Sequence, residues 1–230
     1  MSTKKIKVKV KKKKLKTKKL IVFLLILIVI VLVGINFMKL PVKNIYITGN
    51  KLVNDKTIIE LSNLEEYPPF INTYFSNIKK NLLKNDYIKD VKIKRNIKRG
   101  IYIEIEEYNP ICIYKEKLIL SSTKAVDNTH NIDYVPYVIN NIDQVYDKFI
   151  TKFAKVNIDV LHKISHIEYT PKDLDKERFL LYMTDSNYVY ITLSKIDKLN
   201  KYNSILKKIE NEKGIIHLDS GDYMETKDWL

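Results

Sequence analysis

Between Leu20 and Met38 the chain reads LIVFLLILIVIVLVGINFM, nineteen residues without a charge, interrupted only by Gly34 and Asn36. At about 1.5 Å rise per residue a helix of that length covers roughly 28 Å, close to the ~30 Å hydrocarbon layer of a bilayer. Val, Ile and Leu are mediocre helix formers in water. In lipid the backbone N–H and C=O groups find no partners except one another, so helix is the expected conformation. A cleaved export signal has a core of about 7–15 apolar residues and ends in a small-x-small site. This run is longer, and Val33-Gly-Ile-Asn-Phe37 is a poor cleavage sequence. The reading is an uncleaved membrane anchor.

Charge fixes its direction. Eleven lysines fall within residues 1–19, and no acid precedes Asp55. With those eleven set aside, the 41 bases of the chain fall to 30 against 27 acids, so the net charge of +14 describes a tail rather than a basic domain. Lysines just before a span keep that end in the cytoplasm, which sends Lys39 onward across the membrane. The tail sets topology and also suits anionic lipid headgroups, at about 1 kcal/mol per base near the surface. Nucleic-acid binding wants aromatics among the bases, and residues 1–19 have none. Cys112 is the single cysteine. The exported part therefore has no intrachain disulfide and relies on its core, for which about 190 residues suffice.

The exported part opens on a strand, Val42-Lys-Asn-Ile-Tyr-Ile-Thr48, with no flexible linker after the anchor and a turn at Gly49-Asn50. Asn54 or Asp55 caps a short helix through about Leu61. After Tyr67-Pro-Pro-Phe70 a second helix is expected over 73–85, with Phe75, Ile78 and Leu82 on one face. Two half-buried strands follow, Ile88–Arg95 and the Ile101, Ile103, Ile105 alternation, joined at Asn96–Gly100. The order is β-α-α-β-β, complete by Glu107. Asn109-Pro110 marks a boundary into a strand-rich region. Hairpin strands are expected at 111–114 and 117–121, a weak helix at 143–156, and strands at 164–170, 178–184 and 188–193. A final helix spans Lys195–Glu212, with Leu199, Tyr202, Leu206 and Ile209 on one face and Gly214 as its stop. Gly214–Leu218 is a late strand, followed by a polar tail ending at Trp229-Leu230.

Sites of chemistry are sparse. His162 and His166 have an H-x₃-H spacing, but Ile164, His166, Glu168 and Thr170 alternate as a strand, which puts the two histidines on separate elements. His217 and Asp219, two apart on a strand, face the same way and suit a base with its orienter, yet no serine stands in a G-x-S-x-G elbow. Cys112, between Ile111 and Ile113, reads as a small core hydrophobe. Glu104, Glu106 and Glu107 read as the wet face of their strand. No P-loop, dinucleotide fingerprint or paired C-x-x-C is present, so no catalytic residue, metal ligand, cofactor or small-molecule substrate is expected.

The runs Val42–Asn50, Ile58–Leu61, Tyr87–Arg95 and Ile103–Pro110, in that order after a single anchor, resemble a POTRA (polypeptide-transport-associated) domain of the FtsQ/DivIB family of bacterial cell-division proteins. Leu199–Leu206 followed by Gly214–Tyr223 is similar to the helix–strand ending of that family's β domain. The resemblance implies an α+β protein divided into a basic tail (1–19), an anchor (20–38), a POTRA domain (39–109) and a β domain (110–230). It implies a non-enzymatic scaffold at the division septum that holds the bitopic proteins FtsL and DivIC/FtsB. The family's partner-binding edge maps onto Leu218, Asp219, Ser220, Gly221, Asp222, Tyr223 and Met224, with Asp219-Ser-Gly221 the most direct match. The acidic end at Glu225–Leu230 departs from the pattern. Two other readings stay open at this point: an anchored cell-wall enzyme using His217 and Asp219, and a POTRA-bearing secretion chaperone.

Overall fold

A computed structural model describes residues 17–210 and 212–226; the lysines before Thr17 and the Trp229-Leu230 end lie outside them. The apolar run forms one helix, α1 (Thr17–Lys39), with no buried residue. It is the one helix among the described residues long and apolar enough to cross a membrane, with a mean hydropathy of 3.3. Strand β1 (Asn44–Thr48) begins five residues after its end.

The first sheet follows from alternation and capping. Asn54 caps α2 (Asp55–Leu61), its Oδ1 accepting the Thr57 N–H at 2.8 Å. A 3₁₀ turn (Phe70–Asn72) precedes α3 (Phe75–Leu82), so the expected 73–85 helix is trimmed at both ends. Strands β2 (Ile88–Arg95) and β3 (Gly100–Glu107) pair antiparallel, and β1 adds parallel to β3, giving the order β1-β3-β2. Every second residue of β3 faces inward. Ile101, Ile103 and Ile105 pack beneath Ile58, Ile78 and Leu82 of the two helices. Each such side chain, fully withdrawn from water, contributes about 1.5–3 kcal/mol.

Glu107 departs from its expected place on the wet face. Its carboxylate accepts the backbone N–H groups of Lys51, Leu52 and Val53 at 3.0, 2.9 and 2.9 Å. It satisfies the amides of the turn before α2, which has no ladder of its own to pair them. Glu104 and Glu106 do lie on the open face, near Lys92 and Lys89.

Among the described residues the second sheet has nine strands in the order β12-β11-β10-β9-β8-β7-β4-β5-β6. In chain order these are β4 (Pro110–Tyr114), β5 (Lys117–Leu120), β6 (Ala125–Asp127), β7 (Tyr137–Val138), β8 (Ile164–Tyr169), β9 (Arg178–Met183), β10 (Tyr188–Thr192), β11 (Gly214–His217) and β12 (Tyr223–Thr226). Helices α4 (Tyr146–Phe153) and α5 (Ile158–Leu161) precede β8, and Phe149 and Phe153 of α4 pack on Phe179 of β9. Cys112 is fully buried in β4, and burial pushes its thiol up to about 12. Ile113, Leu118, Leu120, Ile132 and Val135 of this second unit share a core with Ile101 and Ile103 of the first. The two sheets thus meet through apolar contact.

Two expectations fail for identifiable reasons. A bulge between Ile164 and His166 breaks the alternation of β8, so Ile164 and Ile167 are the buried pair. The long helix at 195–212 is a kinked 3₁₀ segment (Leu193–Lys201) followed by α6 (Tyr202–Lys208). Leu193, Ile196, Leu199 and Tyr202 recur every third residue and are all buried. A 3₁₀ helix stacks i and i+3, so that spacing suits it better than the α period. Gly214 does not end the helix; Glu210 takes the left-handed turn (φ 51°) and Gly214 opens β11.

Candidate partner-binding edge

The last hairpin forms the rim of the large sheet. β11 runs parallel to β10, and β12 folds back antiparallel on β11, pairing His217 with Tyr223 and Ile216 with Met224. Among the described residues β12 has a neighbour strand on one side only. Gly214 permits the close approach: a Cβ there would stand 2.1 Å from the Glu225 carbonyl oxygen.

The turn between these strands is built on buried charge. Arg178 Nε lies 2.7 Å from Asp219 Oδ2, both side chains are nearly buried, and the guanidinium sits 3.5 Å from the centre of the Tyr190 ring. Burial pushes the Asp219 carboxyl up, but the hydrogen bond and charge of Arg178, with lesser help from Ser220 and His217, outweigh it and hold the carboxyl below its ordinary value. The backbone N–H groups of Leu218 and Asp219 both donate to the Tyr190 carbonyl, at 2.8 and 3.1 Å. Lys195 Nζ donates to the Asp219 carbonyl at 2.5 Å, and Lys198 Nζ reaches Asp222 Oδ1 at 2.5 Å. Asp222 supplies the left-handed residue (φ 55°) that turns the chain into β12.

A ring ladder ties the three strands together. His217 stacks on Tyr223 at 4.5 Å between centroids and on Tyr190 at 5.3 Å. Its Nδ1 is 3.6 Å from Asp219 Oδ1, beyond hydrogen-bond reach, and its buried Nε2 has no hydrogen-bond partner among the described residues, although Glu225 Oε1 lies 3.4 Å away. Ile205, Ile209, Leu218 and Met224, together with Lys201 and Lys208, line a cavity of about 370 Å³.

The expected binding run therefore divides. Leu218 is buried in the core, Asp219 is committed to Arg178, and Ser220, Gly221 and Asp222 complete the turn. Tyr223 and Met224 alone of the seven belong to β12, and Glu225 and Thr226, expected as polar tail, extend it. A Ser-Gly-Asp turn followed by Tyr and Thr was the signal for a second hairpin strand. His162 caps α5 and His166 lies on β8, both exposed, so they do not converge. Among the described residues no cluster of three His, Cys, Asp or Glu side chains could hold a metal ion.

A family model for the POTRA domain, FtsQ-type, matches residues 40–108. Cell division protein DivIB of Bacillus cereus is 30% identical over 191 residues, spanning 79% of this chain and 75% of that one. The chain belongs to the FtsQ/DivIB family. Cell division protein DivIB of Bacillus subtilis is 29% identical over 194 residues, covering 80% and 73% of the two chains. DivIB of Brevibacillus brevis is 28% identical over 199 residues, covering 80% and 75%. Among solved structures, the major extracytoplasmic domain of the trans isomer of DivIB from Geobacillus stearothermophilus is 21% identical. It has a TM-score of 0.38 and covers 46% of this chain and 96% of that one. This FtsQ/DivIB chain is a division-associated protein of mixed α+β fold with one helix among the described residues long and apolar enough to cross a membrane, and its relatives are named for a cell process rather than a reaction.

Proposed function

We propose that the chain is a non-enzymatic scaffold of the division complex, and that β12 receives an extended segment of a partner as the next strand of the sheet. Its basic tail stays in the cytoplasm beside anionic headgroups, and its folded mass lies outside the membrane at the septum. The POTRA domain (39–109) orients partners beside the bilayer, and the β domain (110–230) captures them. The partners are FtsL-like and DivIC/FtsB-like bitopic proteins, as the family likeness implies.

One observation carries the reading: among the described residues Tyr223–Thr226 is the rim strand of a nine-stranded sheet, paired with β11 on one side and with no strand on the other. Unpaired N–H and C=O groups on such a rim pair readily with an extended peptide, while alternate side chains select it. The turn residues 218–222 enter as the buttress of that strand. Lysines 201 and 208, which line that cavity, favour a partner with acidic residues beside its apolar ones. An enzymatic use of His217 has little support, because Asp219 is spent on Arg178 and stands too far from Nδ1 to orient it.

The test is capture of the small bitopic division proteins by the full chain and by a chain ending at Asp222. That truncation keeps the Arg178–Asp219 pair and the sheet through β11. Loss of capture with an unchanged circular dichroism spectrum supports the rim; undiminished capture sinks it.

A further inference from the structure

The β2–β3 hairpin tip is placed at the mouth of the anchor, and its composition is unusual for a turn. Ile97 is 88% exposed at the tip, far more than the apolar residues of the strands around it. Between Val91 and Ile103 the chain carries Lys92, Lys94, Arg95, Lys98 and Arg99 and no acid. A single exposed isoleucine is ordinary on a protein surface. Position gives this one meaning.

Arg99 Nη1 donates to the Pro41 carbonyl at 3.0 Å, and the Lys43 N–H donates to the Arg99 carbonyl at 2.9 Å. Pro41 is three residues past Met38, so an extended backbone sets it at most about 10 Å from the end of the apolar run. The headgroup layer of one leaflet is roughly 5–8 Å deep. A second loop is fastened to the same segment: the Val42 N–H donates to the Pro68 carbonyl and the Phe70 N–H to the Leu40 carbonyl. That loop exposes Tyr67 and Tyr74, residues suited to the membrane interface, although Glu65 and Glu66 beside Tyr67 leave the anionic-lipid contact to the hairpin. Arg95 links the two loops, donating to the Thr73 carbonyl and lying over the rings of Phe70 and Phe75.

We propose that the hairpin tip is a second membrane contact on the extracytoplasmic side: Ile97 enters the interface of the outer leaflet, and Lys94 and Lys98 engage anionic phospholipid headgroups. The helix and the tip together fix the tilt of the folded domains above the bilayer, which a single swivelling anchor does not. The inference rests on α1 spanning the membrane.

The full chain, reconstituted in nanodiscs of mixed phosphatidylglycerol and phosphatidylethanolamine, carries a polarity-sensitive dye at I97C, L174C or G34C. Native Cys112 is fully buried and stays in place. At I97C the dye is expected to be quenched more by a spin label shallow in the acyl chains than by a water-soluble quencher. L174C, on an exposed loop of the second unit, should show the opposite preference, and G34C within α1 the strongest lipid preference. Lys98→Ser should weaken the lipid preference at I97C about fivefold, as loss of one base near an anionic surface implies. Replacing phosphatidylglycerol by phosphatidylcholine should do at least as much. A lipid preference untouched by either change overturns the headgroup contact. An I97C dye that prefers the aqueous quencher while G34C prefers lipid overturns the insertion and spares the anchor; a wet G34C overturns both. Protection at I97C that arises only when a bitopic partner is added makes the tip a protein contact and contradicts the proposal.

Discussion

Asp219 Oδ2 and Arg178 Nε stand 2.7 Å apart, with side chains 9% and 7% exposed, and this pair fixes the turn from which the rim strand departs. It joins β9 to the β11–β12 turn across β10, with Tyr190 beneath the guanidinium.

Removing one partner of such a pair strands the other. Arg178→Met should destabilise the chain by about 3 kcal/mol, and the double variant with Asp219→Leu should recover a large part of that loss. Urea unfolding of the purified chain in detergent, followed by tyrosine fluorescence, measures both.

The same pair predicts a pH response. Asp219 has a folded pKa below its ordinary value. Its contribution is complete above the ordinary carboxylate range of about 3.9 and is lost as pH falls through the lowered folded value. In Arg178→Met burial, the largest influence on the carboxyl, is opposed only by the lesser effects of Ser220 and His217 and raises it, so acidification through the ordinary range should relieve the turn. Urea midpoints compared across that range should show opposite slopes for the two chains once the acid limb common to both is subtracted.

Gly214→Ala places a methyl against the Glu225 carbonyl and the Met224 side chain, at 2.1 and 2.8 Å. β12 must then shift away from β11, at a cost of about 1–3 kcal/mol. Amide exchange should accelerate at residues 223–226 and stay unchanged in β8 and β9, and partner capture should weaken with it.

Glu107→Ala leaves the amides of Lys51, Leu52 and Val53 without their acceptor. A loss of about 2 kcal/mol is expected from such charge-assisted bonds at a partly exposed site. Exchange at those three amides is the specific readout, since α3 should not respond.

Periodicity and capping made the first unit readable. The β3 isoleucines, the Asn54 cap and the β2–β3 hairpin all follow from local sequence, and the anchor follows from nineteen uncharged residues. What stayed hidden depended on contacts distant in sequence. The role of Glu107 requires residues 51–53, more than fifty positions away. The 3₁₀ segment at 193–201 was legible in its three-residue spacing, yet an α face from Leu199 onward masked it. Of the expected binding run, Tyr223 and Met224 lie on the rim strand, whereas Leu218 and Asp219 support it from beneath. Arg178 is what separates the two groups, and nothing near it in sequence announces a partner at Asp219.

Amide exchange of the full chain, with and without its bitopic partners, addresses strand addition directly. The account predicts that residues 223–226 gain strong protection on binding while the opposite rim, Ala125–Asp127, gains none. Protection confined to other surfaces, with Tyr223–Thr226 exchanging as fast as in the free chain, would contradict it.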